Sequence, residues 1–176
     1  RVHPTLIPAD RLIANVNGVM NAILVKGDAV GPTLYYGPGA GSEPTASSVV
    51  ADIVDVARTL TADPNHRVPH LAFQADRLSS EPVLPMSAVQ TSYYLRVAAV
   101  DRPGVLWRVA QILSEAGISI EALIQKEAPE GQDTATMILL TSATIESRMT
   151  AAIAAIEALE STRGRVTRIR MEKLDG

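Results

Sequence analysis

The segment Asp101-Arg102-Pro103-Gly104-Val105-Leu106 holds residue types that suit a small zwitterion. Asp101 can take an ammonium group, and the N–H groups opening a following helix can take a carboxylate, because the first turn offers them no internal acceptors. Pro103 preorganises that turn, and Gly104 lets a ligand approach the backbone. A free amino acid carries both charges. A plain strand-to-helix turn uses the same residues, and the spacing leaves both readings open. A second loop, Gly37-Pro38-Gly39-Ala40-Gly41-Ser42-Glu43-Pro44-Thr45, is glycine-rich and also enters a helix.

Other candidates have simpler explanations. Lys26 and Asp28 bracket a glycine and are read as hairpin-turn chemistry rather than an acid–base pair. His66 and His70 stand four apart, as two ligands on a helix would. Pro64 and Pro69 forbid a regular helix there and no third ligand is near, so no metal site is expected. Ser42, Ser47 and Ser48 form no Gly-x-Ser-x-Gly elbow. Arg163, Arg165, Arg168, Arg170 and Lys173 crowd the end of the chain. Strand alternation puts Arg168 and Arg170 on one face and Ile169 and Met171 on the other, which is read as a solvated sheet face.

Composition narrows the classes further. The 176 residues carry 16 basic and 19 acidic side chains, for a net charge of −3 with both signs interspersed, so no nucleic-acid partner is indicated. Without cysteine there is no disulfide scaffold, thiol nucleophile or thiolate metal site. No apolar run approaches the roughly 18 residues that span a bilayer, so no membrane partner is expected. The first residue, Arg1, stands inside an apolar segment, which reads as a piece of a longer polypeptide.

Periodicity supplies the elements that must position these residues. Val16–Val25 and Pro32–Tyr36 read as strands joined by a turn at Lys26–Gly31, and a helix is predicted from about Pro44 to Leu60. Its apolar face is Val49, Val50, Ile53, Val56, Ala57 and Leu60, and Pro44 is assigned the first helical position. Residues 61–92, with Pro64, Pro69, Pro82 and Pro85 among small polar residues, read as a connector. Beyond it the pattern gives strand Tyr93–Val100, helix Pro103–Ala116 capped by Gly117, and strands Ile118–Lys126 and Thr134–Thr141 around a turn at Pro129–Gln132. Helix Ile145–Leu159, ended by Gly164, and strand Val166–Lys173 complete it. That order, βαββαβ, is the ferredoxin-like arrangement, so the fold class is α+β.

The element order and Asp101–Leu106, followed by Ala116-Gly117-Ile118-Ser119-Ile120-Glu121, resemble the ACT domain, a regulatory module that binds amino acids. The resemblance implies an effector site between Asp101, Arg102, Pro103, Gly104, Val105 and Leu106 of one copy and Gly117, Ile118, Ser119, Ile120 and Gln125 of a paired copy. Ser119 stands where many members have Asn. The earlier motifs, Asn15 to Ala22, Gly27-Asp28-Ala29-Val30-Gly31 and Tyr36 to Gly41 followed by Pro44-Thr45-Ala46, look like the end of the homoserine dehydrogenase catalytic region. The whole chain therefore resembles the C-terminal portion of that family.

The family resemblance implies a parent oxidoreductase that interconverts aspartate semialdehyde and homoserine with NADP or NAD in the cytoplasm. It implies division into residues 1–60 of the catalytic and dimerisation domain, a connector at 61–92 and an ACT domain at 93–174. The family's catalytic Asp and Lys and its dinucleotide fingerprint belong upstream of Arg1, so no catalytic residue and no bound cofactor are expected here. Gly39, Ala40 and Gly41 match the family's loop near the nicotinamide, with Glu43 turned outward or capping the helix. Threonine is the implied effector, acting on at least a dimer paired side by side. An autonomous amino-acid sensor and a purely oligomerising module are the alternatives.

Overall fold

A computed structural model describes residues 2–63, 73–126, 128, 130, 131 and 133–174. The pair His66 and His70 lies outside the described residues, as does part of the turn expected at 129–132. The chain divides into two compact units, one of Arg1–Pro8 with Val83–Leu174 and one that includes Ala9–Pro82.

The larger unit is an antiparallel sheet under two helices. Its elements are β4 (Gln90–Val100), α2 (Val105–Glu115), β5 (Ile120–Lys126), β6 (Thr134–Thr141), a two-residue β7 (Thr144–Ile145), α3 (Glu146–Glu157) and β8 (Thr167–Met171). β7 pairs with the start of β4. The remaining order is the expected βαββαβ. In space the strands run β8-β4-β6-β5, and one further strand, β1 (Thr5–Leu6), adds in parallel to β8. Its register is Thr5 to Arg170 and Leu6 to Met171.

Strand alternation decides which face is buried. Tyr93, Leu95, Val97 and Ala99 of β4 and Met137 and Leu139 of β6 point one way. They meet Val109 and Leu113 of α2 and Met149, Ala152 and Ile156 of α3 in one core. α2 ends where the sequence places its cap. Gly117 takes φ +68°, and the N–H of Ile118 donates to the Leu113 carbonyl at 2.8 Å while that of Gly117 donates to Ser114 at 2.9 Å. This is the glycine-dependent helix stop, with Ile118 and Leu113 both in the core.

The second unit holds a hairpin, β2 (Met20–Gly27) and β3 (Gly31–Pro38), followed by α1 (Ser42–Thr59). Register runs from Met20 opposite Pro38 to Gly27 opposite Gly31. At the turn, the Ala29 N–H donates to the Asp28 carboxylate at 2.8 Å, in keeping with turn chemistry for that segment. α1 begins two residues earlier than expected, so Pro44 is its third residue. The missing N–H still falls within the first turn, where no intrahelical acceptor awaits it. The apolar stripe of α1 is present, yet no residue of the helix is buried, and Ile53 is 63% exposed.

Candidate effector site

The site is built where β4 ends and α2 begins. The Asp101 N–H donates to the Asp133 carbonyl at 2.8 Å, and Arg102 N–H donates to Val100 at 3.0 Å, so the loop is tied to the sheet at its start. Gly104 then takes φ +90° as the N-cap of α2, a conformation that side-chain-bearing residues rarely adopt. Nothing lies within 4 Å of where its Cβ would stand. The backbone there is open to a ligand, and the amides of the first turn of α2 follow it.

Gln125, expected on the paired copy's side of the site, instead reaches this loop in the same protomer from the far end of β5. Its side-chain amide donates to the Asp101 carboxylate at 3.4 Å. Arg102, Val105, Leu106 and Gln125 line a small cavity with Ala135 and Met137 of β6, about 30 Å³ in volume. That is the share of one water molecule, well below the few hundred Å³ of a typical ligand pocket. One protomer therefore offers a floor and a loop, not an enclosed site.

The other expected residues stand elsewhere in the same protomer. Gly117, Ile118, Ser119 and Ile120 follow the C-terminal end of α2, roughly 16 Å along the helix from Gly104. Gly117 and Ser119 have structural tasks there: Gly117 in the cap, and Ser119 through its carbonyl, which accepts the Ser142 N–H at 3.0 Å. Ile118 is in the core.

The glycine loop of the second unit shows a different logic. The Gly39 N–H donates to the Val19 carbonyl at 3.0 Å, and a Cβ on Gly39 would fall on the Asn21 side chain. Gly39 is thus needed for internal packing. Gly41, at φ +130°, precedes α1 as its N-cap. The loop is exposed at Gly39, Ala40 and Gly41, which leaves room for a planar ring beside its backbone. Glu43 lies in the first turn of α1, exposed, where a negative charge is favoured by the helix dipole.

One ionic cluster corrects the sequence reading. Arg168 and Arg170 are not on a solvated face: register sets Arg170 opposite Tyr93 and Arg168 opposite Leu95, on the helix-covered side. There they meet Glu146, which is only 6% exposed. Arg170 donates to its carboxylate at 2.6 and 3.0 Å, Arg168 approaches at 2.9 Å, and the Tyr93 hydroxyl donates at 2.7 Å. Burial alone would raise the Glu146 carboxyl, but the hydrogen bonds from Arg170 and Tyr93 and the two guanidinium charges outweigh it and hold it below its ordinary value. Burial, then the hydrogen bond and charge of Glu146, push Tyr93 up to about 12. Alternation predicted two arginines on one face; only the position of Glu146 at the first turn of α3 reveals which face that is.

Among the described residues no group of three His, Asp or Glu could hold a metal, and no helix is long and apolar enough to cross a membrane.

Residues 1–54 match the homoserine dehydrogenase family model, and residues 93–161 match that of the ACT domain. A homoserine dehydrogenase of Pseudomonas aeruginosa is 65% identical over 99% of this chain, and one of Neisseria gonorrhoeae is 56% identical over 99%. The chain spans 40% of the length of each. The crystal structure of a homoserine dehydrogenase from Thiobacillus denitrificans superposes with a TM-score of 0.88 at 63% identity, covering 99% of this chain and 39% of that one.

Proposed function

We propose that this chain, which belongs to the homoserine dehydrogenase family and carries its ACT domain, is the effector-sensing portion of a cytoplasmic enzyme that interconverts aspartate semialdehyde and homoserine. The effector is an amino acid, threonine by family resemblance, and its action is feedback inhibition. The dehydrogenase activity belongs to the whole enzyme, of whose curated relatives this chain spans 40% of the length. The nicotinamide cofactor supplies hydride chemistry in the parent. Gly39, Ala40 and Gly41 are the residues of this chain that would stand beside it, with no bulky side chain in the way.

The observation that carries the effector reading is which sheet edge is available. β1 occupies the edge at β8, while β5 pairs only with β6 among the described residues and leaves its outer side open. Most of β5 is exposed. A second copy adding antiparallel along β5 would set the start of its β5 beside the end of the first. Gly117, Ile118, Ser119 and Ile120 of one copy would then face Asp101, Arg102, Pro103, Gly104, Val105, Leu106 and Gln125 of the other. The open cavity beside Gln125 would gain its missing wall. An amino acid would be gripped by Asp101 at its ammonium and by the α2 amides at its carboxylate. Coupling to the parent is a population shift: the effector favours the paired arrangement it binds best.

Isothermal titration with threonine, using isoleucine and methionine as comparisons, tests this. Selective threonine binding is expected, lost in Gly104→Asp, which sets a negative charge where the carboxylate sits. Gly104→Ala controls for the backbone strain at φ +90° and should retain binding. Absence of binding to a folded dimer would remove the effector role and leave assembly as the domain's task.

A further inference from the structure

On the flank of α2 next to the effector loop, a cleft of about 550 Å³ is lined by Arg102, Arg108 and Arg163 with Val100, Leu159, Glu160 and Ser161. The lining carries three guanidiniums and one carboxylate, a net charge of about +2. Among the described residues none of the three arginines forms an ion pair. Like charges lining one cleft repel, and a native surface commonly intersperses acids among them.

The cleft is also preformed. Its far wall, the loop after α3, is fastened to β4 by the Val100 N–H to Ser161 carbonyl bond at 2.8 Å and the Arg163 N–H to Ala98 bond at 2.8 Å. The Thr162 hydroxyl donates to the Ile156 carbonyl at 2.7 Å. Two of the guanidiniums are themselves oriented. Arg163 donates from one terminal nitrogen to the Glu160 carbonyl at 2.8 Å, and Arg108 lies 5.5 Å from the centre of the Trp107 ring. Side chains fixed beforehand lose less freedom when a ligand arrives.

We infer that this cleft binds a phosphate-bearing polyanion through Arg102, Arg108 and Arg163. The guanidinium fork matches phosphate oxygens in pairs, the net positive charge of the cleft favours a multiply charged anion, and its volume lies in the range of small-molecule sites. The inference is independent of the amino-acid reading. The two sites do share the loop holding Arg102, so occupancy of one would be felt at the other, reciprocally.

Titration of the 176-residue chain with inorganic pyrophosphate at low salt is the test. Saturable one-to-one binding is expected, weakened about tenfold or more in Arg108→Gln/Arg163→Gln. Glu160→Gln should act oppositely and tighten binding, which a variant that merely disturbs folding would not do. Adenosine triphosphate binding more tightly than pyrophosphate would identify a nucleotide as the class of ligand, and equal binding would identify the phosphate group alone; either supports the site. No saturation by about 5 mM, an interaction of only about 3 kcal/mol, would overturn it. So would affinity unchanged in both the double variant and Glu160→Gln.

Discussion

Tyr93 and Glu146 connect the core of the regulatory sheet to a buried charge. Glu146 takes three polar partners from β4 and β8, so removing any one leaves the others in an environment built for the full set. The Tyr93 hydroxyl is held up near 12 against an ordinary 10.0. A proton bound more tightly in the folded state gives stability that is fully present below pH 10 and is lost as pH rises towards 12. For the fully buried Tyr93 that loss is about 3 kcal/mol. Glu146 works at the other end. Its carboxyl is held below its ordinary value of 4.5, so its contribution is present above that pH and disappears as acid protonates the folded state. Tyr93→Phe should cost about 1–3 kcal/mol near pH 7 and flatten the decline between pH 10 and 12. Denaturant unfolding at several pH values measures both, and an alkaline decline identical in the variant would show that other groups cause it.

Elements with strong local signals were legible, and those defined by distant partners were not. The alternation of β4, the apolar stripe of α2 and the Gly117 stop are local properties of the chain, and each stands within a few residues of its expected place. The loop at Asp101 followed from element order and the family motif, whereas Gln125, expected on the paired copy's side of the site, stands beside Asp101 in the same protomer. β1 was not legible, because two residues carry no periodicity and their partner β8 lies at the other end of the chain. The stripe of α1 was read correctly, yet periodicity reports only that a face is apolar, not what covers it. β1 also has a task that a sequence reading misses: it closes the β8 edge. Removing residues 1–8 should leave the outer edge of β8 unpaired, a second open sheet edge. Sedimentation is expected to give a dimer at micromolar concentration for the intact chain and larger assemblies for the shortened one. An unchanged dimer would mean that β1 does not govern edge pairing.

At the scale of the whole molecule, the two strands that bracket the hairpin unit belong to one sheet. β1 lies against one side of β8 and β4 against the other, with Leu6 and Ser92 both registered on Met171. Two strand spacings separate them, about 10 Å. Along the chain, Ala9–Pro82 is therefore a guest segment inserted between two parts of one host unit. A guest whose flanking strands share one sheet can be cut out without pulling the host apart. Joining Pro8 to Val83, the two ends of the host on either side of the insertion, through a flexible linker should yield a minimal sensor with its sheet intact. Threonine titration of that loop-out would reveal whether the guest contributes to recognition: matching affinity means the host alone senses, and lost affinity with retained sheet structure means the guest completes the sensor.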